Sequence, residues 1–391
     1  MADICPICEA EGAPRVYSCE AQLFWVVADP AMADRFADID LRQCRDCGHV
    51  FHSDLPAATI AEIYRRQALT NRPVSAAMSR RYDTLVDLLG RERLVGRRIL
   101  EVGGGTGSLA LLLAGLGSDV TVVEPNEALP ELLAEVPTDA GGEIRLINAF
   151  FGPDTLDETF DGVICRQVVE HIADIRPFVR ALGAAVKPGG FVYVEVPTLE
   201  YIAEAGAYMD IHVQHLHYLD AAARERLLAD AGLTVVATHR IMDGHDIGVL
   251  AVPDAAGPRP SAGASHTRID RVPARRDTHR ARLEALPFDP ERTGVYAATS
   301  QGVTFYALFP PERAPRAFID DNPDNIGRYA YGRGGPVKIQ PRSRALLAGL
   351  DDIFIGAYHH EAAIVEKLTD DGYRGRLWSV DPRRPTIERL S

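Results

Sequence analysis

The chain has 391 residues, of which 46% are hydrophobic and 25% charged, with a formal charge of −13. That length suits two or three domains, each able to bury a core, and the acidic balance argues against a partner with a phosphate backbone, which needs a basic face. No run approaches the roughly 18 apolar residues that span a bilayer, and Met1-Ala2-Asp3-Ile4-Cys5 lacks the basic and apolar regions of a signal peptide; a cytoplasmic protein without nucleic-acid or membrane partners is expected.

The first elements are two C-x-x-C knuckles, Cys5-Pro6-Ile7-Cys8 and Cys44-Arg45-Asp46-Cys47. Each spacing lets a tight turn grip one tetrahedral ion, and four thiolates form a closed shell, so Cys5, Cys8, Cys44 and Cys47 are expected to hold a structural zinc in a small domain over 1–70. With four cysteines present, His49 and His52 read as ordinary loop residues. Between the knuckles Glu9, Glu11, Glu20, Asp29, Asp34, Asp38 and Asp40 outnumber the basic residues, which favours a scaffold or substrate lid over a nucleic-acid module.

Helical spacing follows over Thr59–Arg66 and Ala76–Leu89, with Pro73 between them. The short strand Arg98–Val102 then runs into Gly103-Gly104-Gly105-Thr106-Gly107-Ser108 and a helical pattern over Leu109–Leu116. Glycines let the backbone approach a ligand, and the free amides at a helix start favour polar or anionic groups. Two cofactors fit such a turn. Gly105-Thr106-Gly107-Ser108-Leu109-Ala110 matches the dinucleotide pattern G-x-G-x-x-A, with Glu124 where a ribose-binding carboxylate belongs. Taken from its start, the run Glu101-x-Gly103-x-Gly105-x-Gly107 resembles the first motif of class I S-adenosylmethionine (SAM) methyltransferases.

Asp119–Val123 reads as a second strand ending at Glu124, which can accept from both ribose hydroxyls of either cofactor. Arg145–Phe151 reads as a third, with Asn148 and Phe150 able to face an adenine ring; core packing is the alternative for Phe150 and Phe151. Phe160–His171 is a fourth strand leaving through a polar loop that contains Gln167, and it resembles the methyltransferase run that opens with Phe-Asp and closes with Glu-His. Lys187-Pro188-Gly189-Gly190 is a sharp turn before a fifth strand, Phe191–Pro197. This turn resembles a class I methyltransferase feature that the dinucleotide fingerprint lacks, and it decides for SAM. Alternating β and α patterns from Arg98 to Ala251 imply a mostly parallel sheet covered on both faces, within a SAM-binding domain over 71–252.

Ile211-His212-Val213-Gln214-His215-Leu216-His217-Tyr218 precedes a clean helix over Ala221–Ala231. Three histidines in six residues admit a metal site, a general base with hydrogen-bonding neighbours, or plain loop and core residues. Pro253–Pro273 has linker composition, within a linker and helix over 253–290. Beyond it Gly294–Gly302, Arg316–Pro323 and Asp352–Glu361 read as strands ending in polar turns, a second βαβ-like domain over 291–391.

Together the two knuckles, the SAM-type sheet, the histidine segment and the second α/β domain resemble the sugar C-methyltransferases of deoxysugar and antibiotic biosynthesis. That resemblance implies a class I, Rossmann-like methyltransferase sheet with a small N-terminal zinc-binding domain and a second α/β C-terminal domain. It implies SAM held by Glu101, Gly103, Gly105, Gly107, Glu124, Asn148, Phe150 and Gln167, and an acceptor that is a nucleotide-linked 4-keto sugar, alkylated beside its carbonyl. His215 maps onto the family's base and Tyr218 onto its closing tyrosine; His212 or Tyr218 would donate to the enolate oxygen. The chain departs from the family at His212 (tyrosine), Gln214 (glutamate), His245–Leu250 (His-Gly-Gly-Ser-Leu-Arg) and Gln301 (lysine). A non-sugar small molecule as acceptor, an NAD-dependent oxidoreductase and a zinc-organised binding protein are the competing readings.

Overall fold

A computed structural model describes residues 3–33, 35–53, 55–67, 76–134, 141–254, 267–332 and 335–391. Pro73 and most of the expected linker, residues 255–266, lie outside the described residues. The chain divides into two compact units that interleave along the sequence. The first comprises Met1–Arg15, Leu41–Leu199 and His215–Thr267, and the second Val16–Asp40, Glu200–Gln214 and Arg268–Ser391.

The first unit is built on seven strands: β1 (Arg98–Val102), β2 (Asp119–Val123), β3 (Ile144–Ile147), β4 (Phe160–Arg166), β5 (Val186–Pro197), β6 (Leu233–Ile241) and β7 (Asp246–Pro253). Their order is β6-β7-β5-β4-β1-β2-β3. Strands β1 to β5 are parallel, whereas β7 runs antiparallel to both β5 and β6. The sheet is thus the mostly parallel α/β layer expected, with a hairpin at one edge that turns through Asp243 and Gly244, both at positive φ. Its strands alternate faces with period two. Ile99, Ile164 and Tyr193 join Leu85, Val86 and Leu89 of the helix Ala76–Leu89 and Leu109 and Leu113 of the helix Ser108–Gly115 on one side. Val163, Cys165, Val192 and Val194 join Phe178 and Leu182 of Ile175–Ala184 and Leu227 and Leu228 of Ala221–Asp230 on the other. The Lys187-Pro188-Gly189-Gly190 turn differs from expectation. It lies inside β5, where Gly189 takes φ 79° and the register against β4 shifts between Phe160 and Gly162.

Still in the first unit, residues 41–43 pair antiparallel with the strand Val50–His52, which pairs in turn with His217–Tyr218. This ties the histidine segment to the residues that follow the second knuckle.

The second unit carries its own seven-stranded sheet: β8 (Thr293–Tyr296), β9 (Ala317–Asp320), β10 (Tyr329–Gly332), β11 (Gly335–Pro341), β12 (Asp352–Ile355), β13 (Arg376–Ser379) and β14 (Glu388–Arg389), ordered β10-β11-β9-β8-β12-β13-β14. Strands β11, β9, β8, β12 and β13 are parallel. Their apolar side chains, among them Ile319, Ile353 and Ile355, pack on Leu347, Ile364 and Leu368 of the covering helices. No helix among the described residues is long and apolar enough to cross a membrane.

Candidate cofactor and acceptor site

The site begins where β1 ends. Gly103, Gly105 and Gly107 all adopt positive φ (80°, 55° and 74°), conformations that a side chain resists. A Cβ on Gly103 would sit 2.2 Å from Val168 Cγ2, and one on Gly107 2.5 Å from Leu133 Cδ2. The turn is therefore a cradle of bare backbone. Gly107 starts the helix Ser108–Gly115 and has no side chain with which to cap it, and the Glu101 carboxylate accepts from the Ala110 amide in the first turn.

Two carboxylates frame this cradle. Glu124, after β2, accepts from the Gly105 amide at 3.0 Å and from the Asn126 amide at 2.9 Å, and burial raises its carboxyl. Each oxygen keeps a second lone pair for a ligand hydroxyl. Glu101, in β1, is buried, its Oε2 has no partner, and burial pushes its carboxyl up to about 8 despite the opposing charge of Arg166. Asn148 is already engaged, with Nδ2 donating to the carbonyls of Glu124 (2.8 Å) and Asn126 (2.9 Å), and it braces the loop that carries Glu124. Phe150 is 38% exposed and has the Arg65 guanidinium 5.1 Å from its ring centre. Gln167 ends β4 at φ 54°, donates its amide to the Glu195 carbonyl at 2.8 Å and bonds Asp246 through its side chain.

The carboxyl ends of β4 and β5 and the start of β7 hold a network that spacing does not reveal. Arg81 Nη2 donates to Glu195 Oε1 and to Asp246 Oδ2, both at 2.6 Å, and Arg166 grips Glu195 through Nε (3.1 Å) and Nη2 (3.0 Å). Tyr193 OH adds a third donor to Glu195 at 3.1 Å, and His245 Nδ1 meets Asp246 Oδ1 at 2.7 Å. Burial would raise both carboxyls, but the arginines hold Glu195 below its ordinary value, and His245 with Arg81 and Gln167 does the same for Asp246. Residues 81, 166, 195 and 246 meet only because β4, β5 and β7 are neighbours; the pairing order, and no local motif, was the signal.

The histidine segment splits between the units. His215 and Tyr218 belong to the first. The His215 ring stands edge-on to His171 with centroids 4.8 Å apart, and Tyr218 lies 6.0 Å away. Glu170 and His171 occupy the 3-10 turn Val169–His171 after β4, and burial, with the charges of Asp246 and Glu195, pushes the Glu170 carboxyl well above the usual range. His49 lies in a loop, as expected, but is fully buried: its Nε2 meets His217 Nδ1 at 3.1 Å, and His217 Nε2 donates to the Ile172 carbonyl at 2.8 Å. Burial holds both imidazoles below their ordinary values. His212 belongs to the second unit, where it packs edge-on to Trp25 at 5.3 Å and meets Thr304 Oγ1 at 3.4 Å.

Three departures from the sugar-methyltransferase pattern have physical reasons. Gln214 is fully buried and donates to the Leu23 carbonyl at 2.8 Å, where a glutamate would set oxygen against oxygen. A Cβ on Gly248, which stands where that pattern has serine, would lie 2.1 Å from the Tyr193 hydroxyl. Gln301 donates to Asp210 Oδ1 at 2.7 Å, and Tyr358 takes the other oxygen at 2.8 Å.

The knuckles converge. Cys5 and Cys47 sulfurs are 3.6 Å apart, Cys8 and Cys44 3.5 Å, and all four lie within 4.8 Å of one another. Zinc–sulfur bonds of about 2.3 Å place tetrahedral sulfurs about 3.8 Å apart, so the donor set fits zinc. Burial, with the neighbouring thiols, pushes Cys8 up to about 11, a crowding that a dication relieves.

A family model described as a methyltransferase domain matches residues 74–238. The chain is 38% identical over 104 residues to the ubiquinone biosynthesis O-methyltransferase of Methylocella silvestris, covering 26% of this chain and 40% of that protein. It is 35% identical over 113 residues to the protein of that name from a Methylobacterium species, covering 27% and 43%. The chain thus spans about two fifths of the length of the curated relatives it matches. Among solved structures, the SAM-bound magnesium protoporphyrin IX methyltransferase of Synechocystis PCC 6803 aligns with 45% of this chain and 79% of its own, at 17% identity and a TM-score of 0.36. Residues 74–238 thus match a methyltransferase domain in sequence and have its α/β, Rossmann-like fold.

Proposed function

We propose that this chain is a SAM-dependent C-methyltransferase that alkylates a carbon next to a ketone, with a nucleotide-linked 4-keto deoxysugar as acceptor. The observation that carries the reading is the buried group of His215, Tyr218, His171 and Glu170 in the unit that holds the glycine cradle. The proposal also rests on the sequence resemblance of nearly the whole chain to sugar C-methyltransferases.

When bound, SAM supplies an electrophilic methyl group to the acceptor carbon. The chain's residues do the rest. Glu124 accepts from the ribose hydroxyls, the unpartnered oxygen of Glu101 accepts from the ammonium of the methionine end, and Gly103, Gly105 and Gly107 leave room for close approach. Asn148 holds the Glu124 loop in place, while Phe150 and Gln167 border the nucleoside. His215 removes the proton from the acceptor carbon, and Tyr218 donates to the oxygen that gains charge. The buried setting strengthens such donors, because little water competes for them. Cys5, Cys8, Cys44 and Cys47 hold a structural zinc.

Incubation with SAM and a panel of nucleotide 4-keto sugars, read by mass spectrometry, tests the acceptor: one methylated product is expected, and none from any member overturns the sugar reading. His215→Gln should lower turnover by about 10²–10⁴-fold, the usual worth of base catalysis, with SAM binding intact. Wild-type turnover would remove His215 from the mechanism.

A second reading is supported by the relatives at 35–38% identity, which are named ubiquinone biosynthesis O-methyltransferases. There the acceptor is a hydroxyl, and His215 removes its proton. A methylated ubiquinone precursor, with every keto sugar unchanged, selects this alternative.

A further inference from the structure

Glu170 is 2% exposed, and neither of its carboxylate oxygens has a hydrogen-bond partner. A buried carboxyl without a donor is unfavourable unless something else satisfies it. Its Oε1 points to His171, 3.7 Å from Nε2, and one donor atom each from Glu170, His171 and His215 lie within 4.8 Å of one another. A tetrahedral ion with bonds of about 2.1 Å sets its donors about 3.4 Å apart, so the cluster needs only a small contraction. The backbone holds the three together: Glu170 and His171 are fixed in the turn that ends β4, and the Leu216 amide donates to the Glu170 carbonyl at 2.8 Å, anchoring the segment that carries His215.

We infer that Glu170, His171 and His215 form a metal site, distinct from the four-cysteine cluster, that takes a divalent transition ion such as Zn2+ or Co2+. Two imidazoles and one carboxylate suit such ions better than Mg2+ or Ca2+, which prefer all-oxygen shells. Three protein ligands leave a coordination position open. A consequence rests on the proposed function. The imidazole lone pair that binds the ion is the same one that would take the acceptor's proton, so a filled site and a proton-accepting His215 exclude each other.

The test is titration of the full chain with Co2+, followed by visible absorption and elemental analysis. One cobalt per chain beyond the cysteine site is expected, with ligand-field bands free of thiolate charge transfer. In Glu170→Gln its affinity should fall at least about 100-fold, more than the 10–100-fold typical of losing an outer-shell partner. His215→Asn should weaken it likewise, and both variants should keep the metal at the cysteines and bind SAM. Failure of wild type to take the extra cobalt, or equal affinity in both variants, overturns the site. Methyl transfer that declines in step with cobalt occupancy supports the exclusion. Turnover undiminished at full occupancy leaves the metal site standing and removes His215 as the base.

Discussion

The two units contain the same closure device at the first βα turn of their sheets, and they use it differently. After β2, Glu124 accepts from the Gly105 and Asn126 amides, and Asn126 Oδ1 caps the Ala128 amide at 3.0 Å. After β9, Asp320 accepts from the Ala298 amide (2.7 Å) and the Asn322 amide (2.8 Å), and Asn322 Oδ1 caps the Asp324 amide at 2.9 Å. The difference lies in the turn itself. In the second unit Thr299 Oγ1 accepts from Gly302 at 3.1 Å and caps its own helix, while Gly302 and Gly356 bring backbone against backbone. In the first unit the helix starts at a glycine that has no side chain to cap with, and Glu101, which accepts from the Ala110 amide, keeps one unpartnered oxygen. One turn is satisfied from within; the other has a carboxylate oxygen left for a ligand. Repetition of a fold thus does not repeat its binding site.

The comparison can be broken most forcefully at its glycines. A Cβ on Gly302 would lie 2.0 Å from the Ala297 carbonyl oxygen, so Gly302→Ala should cost about 3 kcal/mol of stability and leave SAM affinity unchanged. Gly103→Ala, strained by its positive φ and by Val168, should cost a similar amount and also abolish measurable SAM binding. Calorimetry of unfolding and of SAM binding on both variants separates the two effects.

Removing the carboxylates should have a smaller effect. Glu124→Ala and Asp320→Ala each leave two backbone amides without their acceptor, and the second also frees the Asn325 side-chain amide, at about 2 kcal/mol. Only the first should weaken SAM, by about 10–100-fold, and a matching loss in Asp320→Ala would mean the second turn takes the cofactor too.

The pH response sharpens the contrast further. Glu101 titrates near 8 in the folded chain against an ordinary 4.5, so the stability it contributes is full below about pH 4.5 and is lost as pH rises to about 8. Binding of a cationic ammonium runs the opposite way, because it needs the carboxylate. SAM affinity should rise by nearly tenfold per pH unit from 6 to about 7.5 and fall again above about 8, where the ligand's own α-amino group loses its proton, and Glu101→Gln should erase the rising slope in isothermal titration. The smallest effect is expected at the self-capped turn: Thr299→Ala should lower stability by about 1 kcal/mol, as loss of a helix cap does, with SAM binding untouched.

Much of the fold was legible in the sequence because its signals are local. The run from Glu101 to Gly107 encodes a strand, a turn and a helix start in seven consecutive residues, and the α/β class followed from alternation of such runs. The edge hairpin β6-β7 was less visible, since its turn depends on Asp243 in a left-handed conformation that no motif announces. The Arg81, Arg166, Glu195 and Asp246 network was invisible for a different reason: its members are far apart in the chain, and strand order alone unites them. The buried pair of His49 and His217 was hidden likewise, because a loop histidine beside a metal motif carries no signal of burial.

The interleaving of the units has a consequence for how the protein is made. Residues 16–40 leave the ribosome early, yet most of the unit they belong to lies in residues 268–391. They must wait for nearly the whole polypeptide before their partners exist, which exposes apolar side chains such as Phe24 and Val26 to aggregation in the interval. For the same reason no single cut yields both halves intact: cleavage after residue 267 would orphan two segments at once, and the second unit can be isolated only by grafting them back onto it.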